Sequence, residues 1–180
     1  MKKLLILLLT LLLCVPALAE PALPATPNPD GWAYVGYTPA GLTFLVPDDV
    51  VSYQLYESEK AAGVLFLGAN DDCTIQLRRF DPADMTLDVF TAMMGFISGA
   101  QVEMRTVNGV EIIFYHNGSP SANSELCGIA LNGTDGCMYK ISFFTGVDGD
   151  FSESAAVWAI AETVADSVEL VDYSEWPLAE

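Results

Sequence analysis

Apolar and polar residues alternate with a period of two through most of the middle of the chain, the signature of strands with one buried face. Leu42, Phe44 and Val46 share a face in a run that Pro47 stops, and Val51, Tyr53 and Leu55 alternate after it. Residues 63–68 and 73–78 read as the arms of a hairpin joined through Ala69-Asn70-Asp71-Asp72. The second arm sets Cys73, Ile75 and Leu77 against Thr74, Gln76 and Arg78. Val102, Met104 and Thr106 alternate with Glu103, Arg105 and Val107, and Asn108-Gly109 marks a two-residue turn into a return strand over 110–116. A further hairpin pairs 125–131 with 137–144 around Asn132-Gly133-Thr134-Asp135-Gly136. A loop centred near Thr134 would put Cys137 opposite Leu131 and Cys127 opposite Ile141.

The period lengthens twice. Leu87, Phe90, Met94 and Ile97 fall at helical spacing, with Thr86 to start the helix and Gly99 to stop it. Asp150-Phe151-Ser152-Glu153 reads as a capping box for a longer helix. Its buried stripe is Trp158, Ala161, Ala165 and Val168, widened by Val157, Ile160 and Val164. Trp158 is expected to face the sheet fully buried, so that deleting it would cost about 3–5 kcal/mol. The order is two or three strands, a helix, four strands and a helix. This predicts an α+β domain, a mostly antiparallel sheet of six to seven strands covered by two helices.

The ends of the chain follow other rules. Met1-Lys2-Lys3, the apolar run Leu4 to Leu13 and Val15-Pro16-Ala17-Leu18-Ala19 have the order of a secretory signal peptide cleaved after Ala19. The apolar run is shorter than the roughly 20 residues of a membrane span. Cys14 raises the alternative of a lipid-bearing thiol, but Leu12-Leu13 stands where that processing wants a small residue. Residues 20–31, with Pro21, Pro24, Pro27 and Pro29, read as an extended linker. A single domain then spans 32–171, and 172–180 form an acidic tail.

Charge narrows the partners. Seven basic residues against 24 acids give a net charge of −17, which the loss of Lys2 and Lys3 with a signal peptide would deepen. Nucleic acid and anionic membrane surfaces would repel such a chain. The acidity is not that of a disordered segment, because 52% of the residues are hydrophobic and 11% aromatic. Cys73, Cys127 and Cys137 would remain after cleavage, an odd number without CxxC spacing. A Cys73–Cys127 bridge is geometrically open, but three buried reduced thiols are the simpler reading.

Candidate chemistry is sparse. His116 is the one histidine, so a nucleophilic site would have to join it to Cys127 and an acid such as Glu125. No glycine-framed nucleophile accompanies it, and a polar residue at a strand end is ordinary. Asp148, Asp150, Ser152 and Glu153 could offer hard oxygen ligands to calcium. They lack the full spacing of a calcium loop, and helix capping already explains two of them. Asn117-Gly118-Ser119 and Asn132-Gly133-Thr134 match a glycosylation sequon but read as turns. Trp32, Tyr34 and Tyr37 could form an aromatic recognition patch or close one end of the core.

The aromatic lead into Gly41-x-x-Phe44-x-x-Pro47, the helix after Asp81-Pro82, Asn108-Gly109-Val110, the strand Tyr139-Lys140-Ile141-Ser142-Phe143 and the closing Ala165-Asp166-Ser167-Val168 resemble the PsbP-like α/β/α sandwich over residues 32–171. That group includes extrinsic photosystem proteins, small bacterial envelope lipoproteins and Ran-binding relatives. The resemblance implies a fold whose members mostly bind partners and share no catalytic motif, so no functional residue carries across. The expectation is a secreted, non-catalytic binding or accessory domain without a cofactor or metal, acting at or outside the cell envelope on a protein or small-molecule partner. The rival readings are an extracytoplasmic hydrolase built on His116 and a calcium-binding module.

Overall fold

In the computed structural model, which describes residues 29–50, 54–58, 61–117, 125–145 and 154–172, the alternating segments become strands of two antiparallel sheets. In chain order these are β1 (Trp32–Tyr37), β2 (Leu42–Pro47), β3 (Gln54–Ser58), β4 (Ala61–Ala69), β5 (Cys73–Phe80), β6 (Gln101–Val107), β7 (Val110–His116), β8 (Glu125–Asn132), β9 (Met138–Thr145) and β10 (Glu169–Leu170). The helices are α1 (Leu87–Met94) and α2 (Ser154–Ser167). Seven strands form the main sheet in the order β3-β4-β5-β9-β8-β7-β6, and β1-β2-β10 form a smaller one. The α+β class and the seven-stranded sheet agree with the sequence pattern. The second sheet goes beyond the sequence pattern, in which β1 is only an aromatic lead and β10 has two residues.

The alternation sorts the main sheet into two faces. Cys73, Ile75, Leu77, Ile112, Phe114, Ile129, Tyr139, Ile141 and Phe143 turn toward α2 and β2, forming the principal core with Leu42, Phe44, Val157, Ala161 and Val164. A helix of 14 residues is marginal by itself in water, so the packing of this stripe is what holds α2. Ser167 is buried at its end without penalty: its Oγ accepts from Leu45 N at 2.9 Å and donates to the Val164 carbonyl at 2.9 Å. On the opposite face Phe90 and Met94 of α1 cover Ile113, Tyr115, Ala130 and Met138. A helix lies on each side of the main sheet.

Turn chemistry sets the registers. Asn108 and Gly109 both have positive φ, 49° and 79°, as a tight two-residue turn requires, and Val107 pairs with Val110. Asn70 Oδ1 accepts from Asp72 N and Cys73 N, closing the β4–β5 turn. Gly41, at φ 61°, lies so close to Thr134 that an added Cβ would stand 2.7 Å from its Oγ1. Thr134 N donates to the Ala40 carbonyl at 2.8 Å, which ties the small sheet to the β8–β9 turn.

Three expectations need correction. The β8–β9 register is shifted: Leu131 faces Tyr139 and Cys127 faces Phe143, because Gly133 N bonds the Cys137 carbonyl and the loop centres on Asp135. The first helix ends at Met94 with Gly95 as its cap, so Gly99 belongs to the following turns and Ile97 is 43% exposed. Trp158 is half-buried. It lies one position off the Val157–Ala161–Val164–Val168 stripe, about 100° around the helix, so it packs on the rim of the core. The large cost expected from its removal falls accordingly.

The cysteines Cys73, Cys127 and Cys137 are free and buried. The proposed signal peptide with Cys14, most of the Pro-rich linker, the Asp148–Glu153 acidic segment with its capping box, Gly118-Ser119 and the tail from 173 lie outside the described residues. Among the described residues no helix is long and apolar enough to cross a membrane.

Candidate functional site

β6, β7 and α2 meet at one edge of the main sheet around a cleft of about 240 Å³, lined by Gln101, Glu103, Arg105, Phe114, His116, Trp158 and Glu162 among others. Strand alternation brings Phe114 and His116 to the α2 side, and Arg105 comes from the paired strand, opposite Ile112. Trp158 and Glu162 lie one helical turn apart on the flank of α2. The position that keeps Trp158 off the core stripe delivers it to this cleft.

Rings and charges are arranged in layers. His116 stacks on Trp158 with centroids 5.1 Å apart and planes 20° apart, and Phe114 lies 5.7 Å from Trp158. The Arg105 guanidinium sits 4.3 Å over the Phe114 ring. It reaches Glu162 through Nη1 at 2.5 Å and Nη2 at 3.2 Å, and Glu103 through Nη2 at 2.8 Å. Arg105 holds the Glu103 carboxyl below its ordinary range. Two carboxylates share one cation, so the rim carries a residual negative charge.

His116 is the unfinished member of this layer. Its Nδ1 is buried with no hydrogen-bond partner among the described residues. A buried ring nitrogen without a partner costs free energy.

The residues proposed for a hydrolase are not assembled here. Cys127 is the strand partner of His116, but its thiol is buried and desolvation pushes its pKa up strongly, with the charges of Cys73 and Glu125 adding to this. A thiol held protonated is a poor nucleophile. Glu125 turns to the other face of the sheet, where it accepts from the Tyr115 hydroxyl and pairs with Lys140 Nζ at 2.7 Å. It therefore does not orient His116. Burial first, and then the Glu125 charge, raise the Tyr115 hydroxyl well above its ordinary pKa. The Tyr115 ring lies over Gly128, where a Cβ would collide with it.

A second polar cluster ties strand ends together. Arg79 bonds Asp81 at 2.8 Å and Asp135 at 3.3 Å, and Tyr139 Oη donates to Asp135 Oδ2 at 2.8 Å. Burial would raise the Asp135 carboxyl, but the Cys137 N–H, Tyr139 and Arg79 outweigh it and hold the pKa low. This cluster staples β5 to the β8–β9 turn.

Of the aromatic trio proposed for recognition, Trp32 and Tyr37 are half-buried against the principal core, with Tyr37 edge-on to Tyr139 at 5.7 Å; Tyr34 is also half-buried. The acidic calcium candidate lies outside the described residues, and among those described no group of three or more His, Cys, Asp or Glu could hold a metal. Sequence reasoning singled out His116 but missed Arg105, Phe114 and Glu162. Arg105 and Glu162 are 57 positions apart, and only the packed fold joins them.

The chain is similar in structure to cyanobacterial PsbP (CyanoP) from Synechocystis sp. PCC 6803, with 15% identity and a TM-score of 0.49 over 84% of this chain and 98% of that one. It is also similar to LpqN of Mycobacterium tuberculosis, a protein involved in cell envelope biogenesis, with 19% identity and a TM-score of 0.41 over 78% and 90% of the two chains. No family model matches the chain, and no curated protein sequence does.

Proposed function

We propose that the protein is exported and acts outside the cytoplasm as a non-catalytic binding domain, recognising its ligand in the cleft between β6, β7 and α2. The basic, apolar and Ala17-Leu18-Ala19 order of the first residues supports export. The observation that carries the binding reading is the cleft itself, lined by the stacked His116 and Trp158 rings, Phe114 and the Arg105–Glu162 pair. The protonated thiol of Cys127 and the commitment of Glu125 to Lys140 argue against catalysis on that histidine.

The chemistry of the lining selects the ligand. A flat group can slide against the His116–Trp158 stack, and a polar atom on it can meet the Arg105–Glu162 pair that lines the same cleft. The residual charge of Glu103 and Glu162 favours a neutral or cationic compound.

Thermal unfolding in the presence of neutral and cationic heteroaromatic compounds tests this reading. A true ligand at a hundredfold excess over its Kd adds about 2.7 kcal/mol to the wild-type protein. His116→Ala should lose that gain, while Tyr34→Ala should keep it. Loss on Tyr34→Ala alone would move recognition to the β1 aromatics. Chemical turnover of a bound compound that His116→Ala abolishes would replace the binding reading with a catalytic one.

A further inference from the structure

The large hydrophobic side chains that stand well exposed among the described residues are Val89, Met93, Phe96, Ile97, Val102 and Met104, with Phe96 at 87% and Met104 at 71%. All belong to α1, the turns after it and β6. Val102 pairs with Tyr115 and Met104 with Ile113, whose side chains lie under α1. Val102 and Met104 therefore extend the α1 face of the sheet past the cover that the helix provides. An exposed apolar patch beside a sheet edge is unusual in a protein that stays alone.

Among the described residues β6 is the last strand of the main sheet. Its tight turn makes Val107 and Val110 a hydrogen-bonded pair, so Arg105, Glu103 and Gln101 direct their backbone groups to β7. The backbone groups of Val102, Met104 and Thr106 consequently point outward from the edge.

We propose that β6 pairs antiparallel with β6 of a second copy across a two-fold axis at Met104, giving a continuous fourteen-stranded sheet. The sequence of the strand is self-complementary in that register alone. Met104 meets Met104, Val102 meets Thr106, and Glu103 falls opposite Arg105 on both sides of the axis. All three outward-pointing residues then find outward-pointing partners. A slip by two positions one way sets Glu103 against Glu103, and a slip the other way sets Arg105 against Arg105, like charges that a strand pair resists. The axis keeps the α1 faces on one side, so Met104 and the exposed end of each α1 flank the seam together. The net charge of −17 on each copy opposes the association and keeps it reversible.

Sedimentation velocity over a concentration series, with a cross-linking assay beside it, decides the matter. The wild-type protein should show a monomer–dimer equilibrium. Met104→Lys, which opposes two ammonium groups at the axis, should raise the dimer dissociation constant about a hundredfold or more. Because Met104 is exposed, that variant should keep the wild-type melting temperature. Met104→Cys should cross-link to itself with a short bismaleimide where the wild-type chain does not. Val102→Cys should cross-link to Thr106→Cys in a mixture. A protein that stays monomeric throughout the series, a dimer that Met104→Lys leaves intact, or a Met104→Cys chain that does not cross-link would each overturn the proposal.

Discussion

Among the described residues the main sheet is covered on one face by the 14 residues of α2 together with a second sheet, and on the other by the eight residues of α1 with Met85 and Ala100 beside them. The α2 face is closed and apolar to its centre: Tyr139, Ile141 and Phe143 are wholly inaccessible. The α1 face has a smaller apolar cluster and admits charge beside it. There Glu125 bridges Tyr115 and Lys140, and Arg78 lies over the Phe80 ring at 4.7 Å with its Nε buried and unpartnered. Extent of cover decides what each face leaves exposed. Ion pairs border both faces, Arg105–Glu162 beside α2 and Lys140–Glu125 beside α1, and what the narrower cover adds is large apolar residues left exposed next to it.

The largest expected effect tests the closed face. Phe143→Ala should lower the unfolding free energy by about 3–5 kcal/mol, while Phe90→Ala, at the edge of the α1 cluster, should lose about 2–3 kcal/mol. Urea unfolding of both variants measures the difference, and equal losses would remove the contrast between the faces. The ion pair of the α1 face comes next. Lys140→Ala leaves the Glu125 carboxylate largely buried with Tyr115 alone and should cost about 2 kcal/mol. The double variant Glu125→Leu/Lys140→Met should recover part of that loss, and a double variant worse than the single would show that the pair itself is stabilising.

The smallest increment, one protected group over one pH unit, is set by pH and runs across both faces. Burial pushes the Cys73 thiol up to about 12 and raises Cys127 as well, both on the α2 face, and it raises the hydroxyls of Tyr139 on that face and Tyr115 on the α1 face. The folded chain keeps protons that the unfolded chain releases, so stability is full at neutral pH and falls as the medium becomes alkaline. The thiol limb opens near pH 8.5 and the tyrosine limb near 10, each protected group contributing roughly 1.4 kcal/mol per pH unit. Urea unfolding of Cys73→Ala/Cys127→Ala between these values should show a much flatter slope. A slope equal to that of the wild type would mean that the thiols ionise freely in the folded protein.

Local patterns carried the strands and turns into the structure. Asn108-Gly109 predicts its turn because the turn needs two positive φ angles that few other pairs adopt, and Cys73, Ile75 and Leu77 predict their face because pleating has a period of two. The features that escaped depend on distant partners. β1 and β10 are strands only because β2 lies between them, and nothing in residues 169–170 anticipates that contact. The shift in the β8–β9 register came from a loop closed around Asp135, whose Oδ1 accepts from Cys137 N at 3.0 Å. His116 was visible as the single histidine, but its Trp158 neighbour sits on another element, and a tryptophan near an apolar helical stripe reads as core until the helix is docked.

The order of the main sheet has a consequence in time as well as in space. Every neighbouring pair in it follows directly along the chain except β5 and β9, whose ladder runs from Cys73–Thr145 to Phe80–Met138. When the chain is made or threaded outward from its N-terminus, β5 emerges with its partner still unsynthesised, and it must wait while α1 and three further strands appear. During that interval its apolar face and open backbone are a template for any stray strand. Arg78 and Arg79, two of only seven basic residues in the chain, stand at the end of that waiting edge. Their charge makes β5 a poor landing place for the wrong partner until β9 arrives.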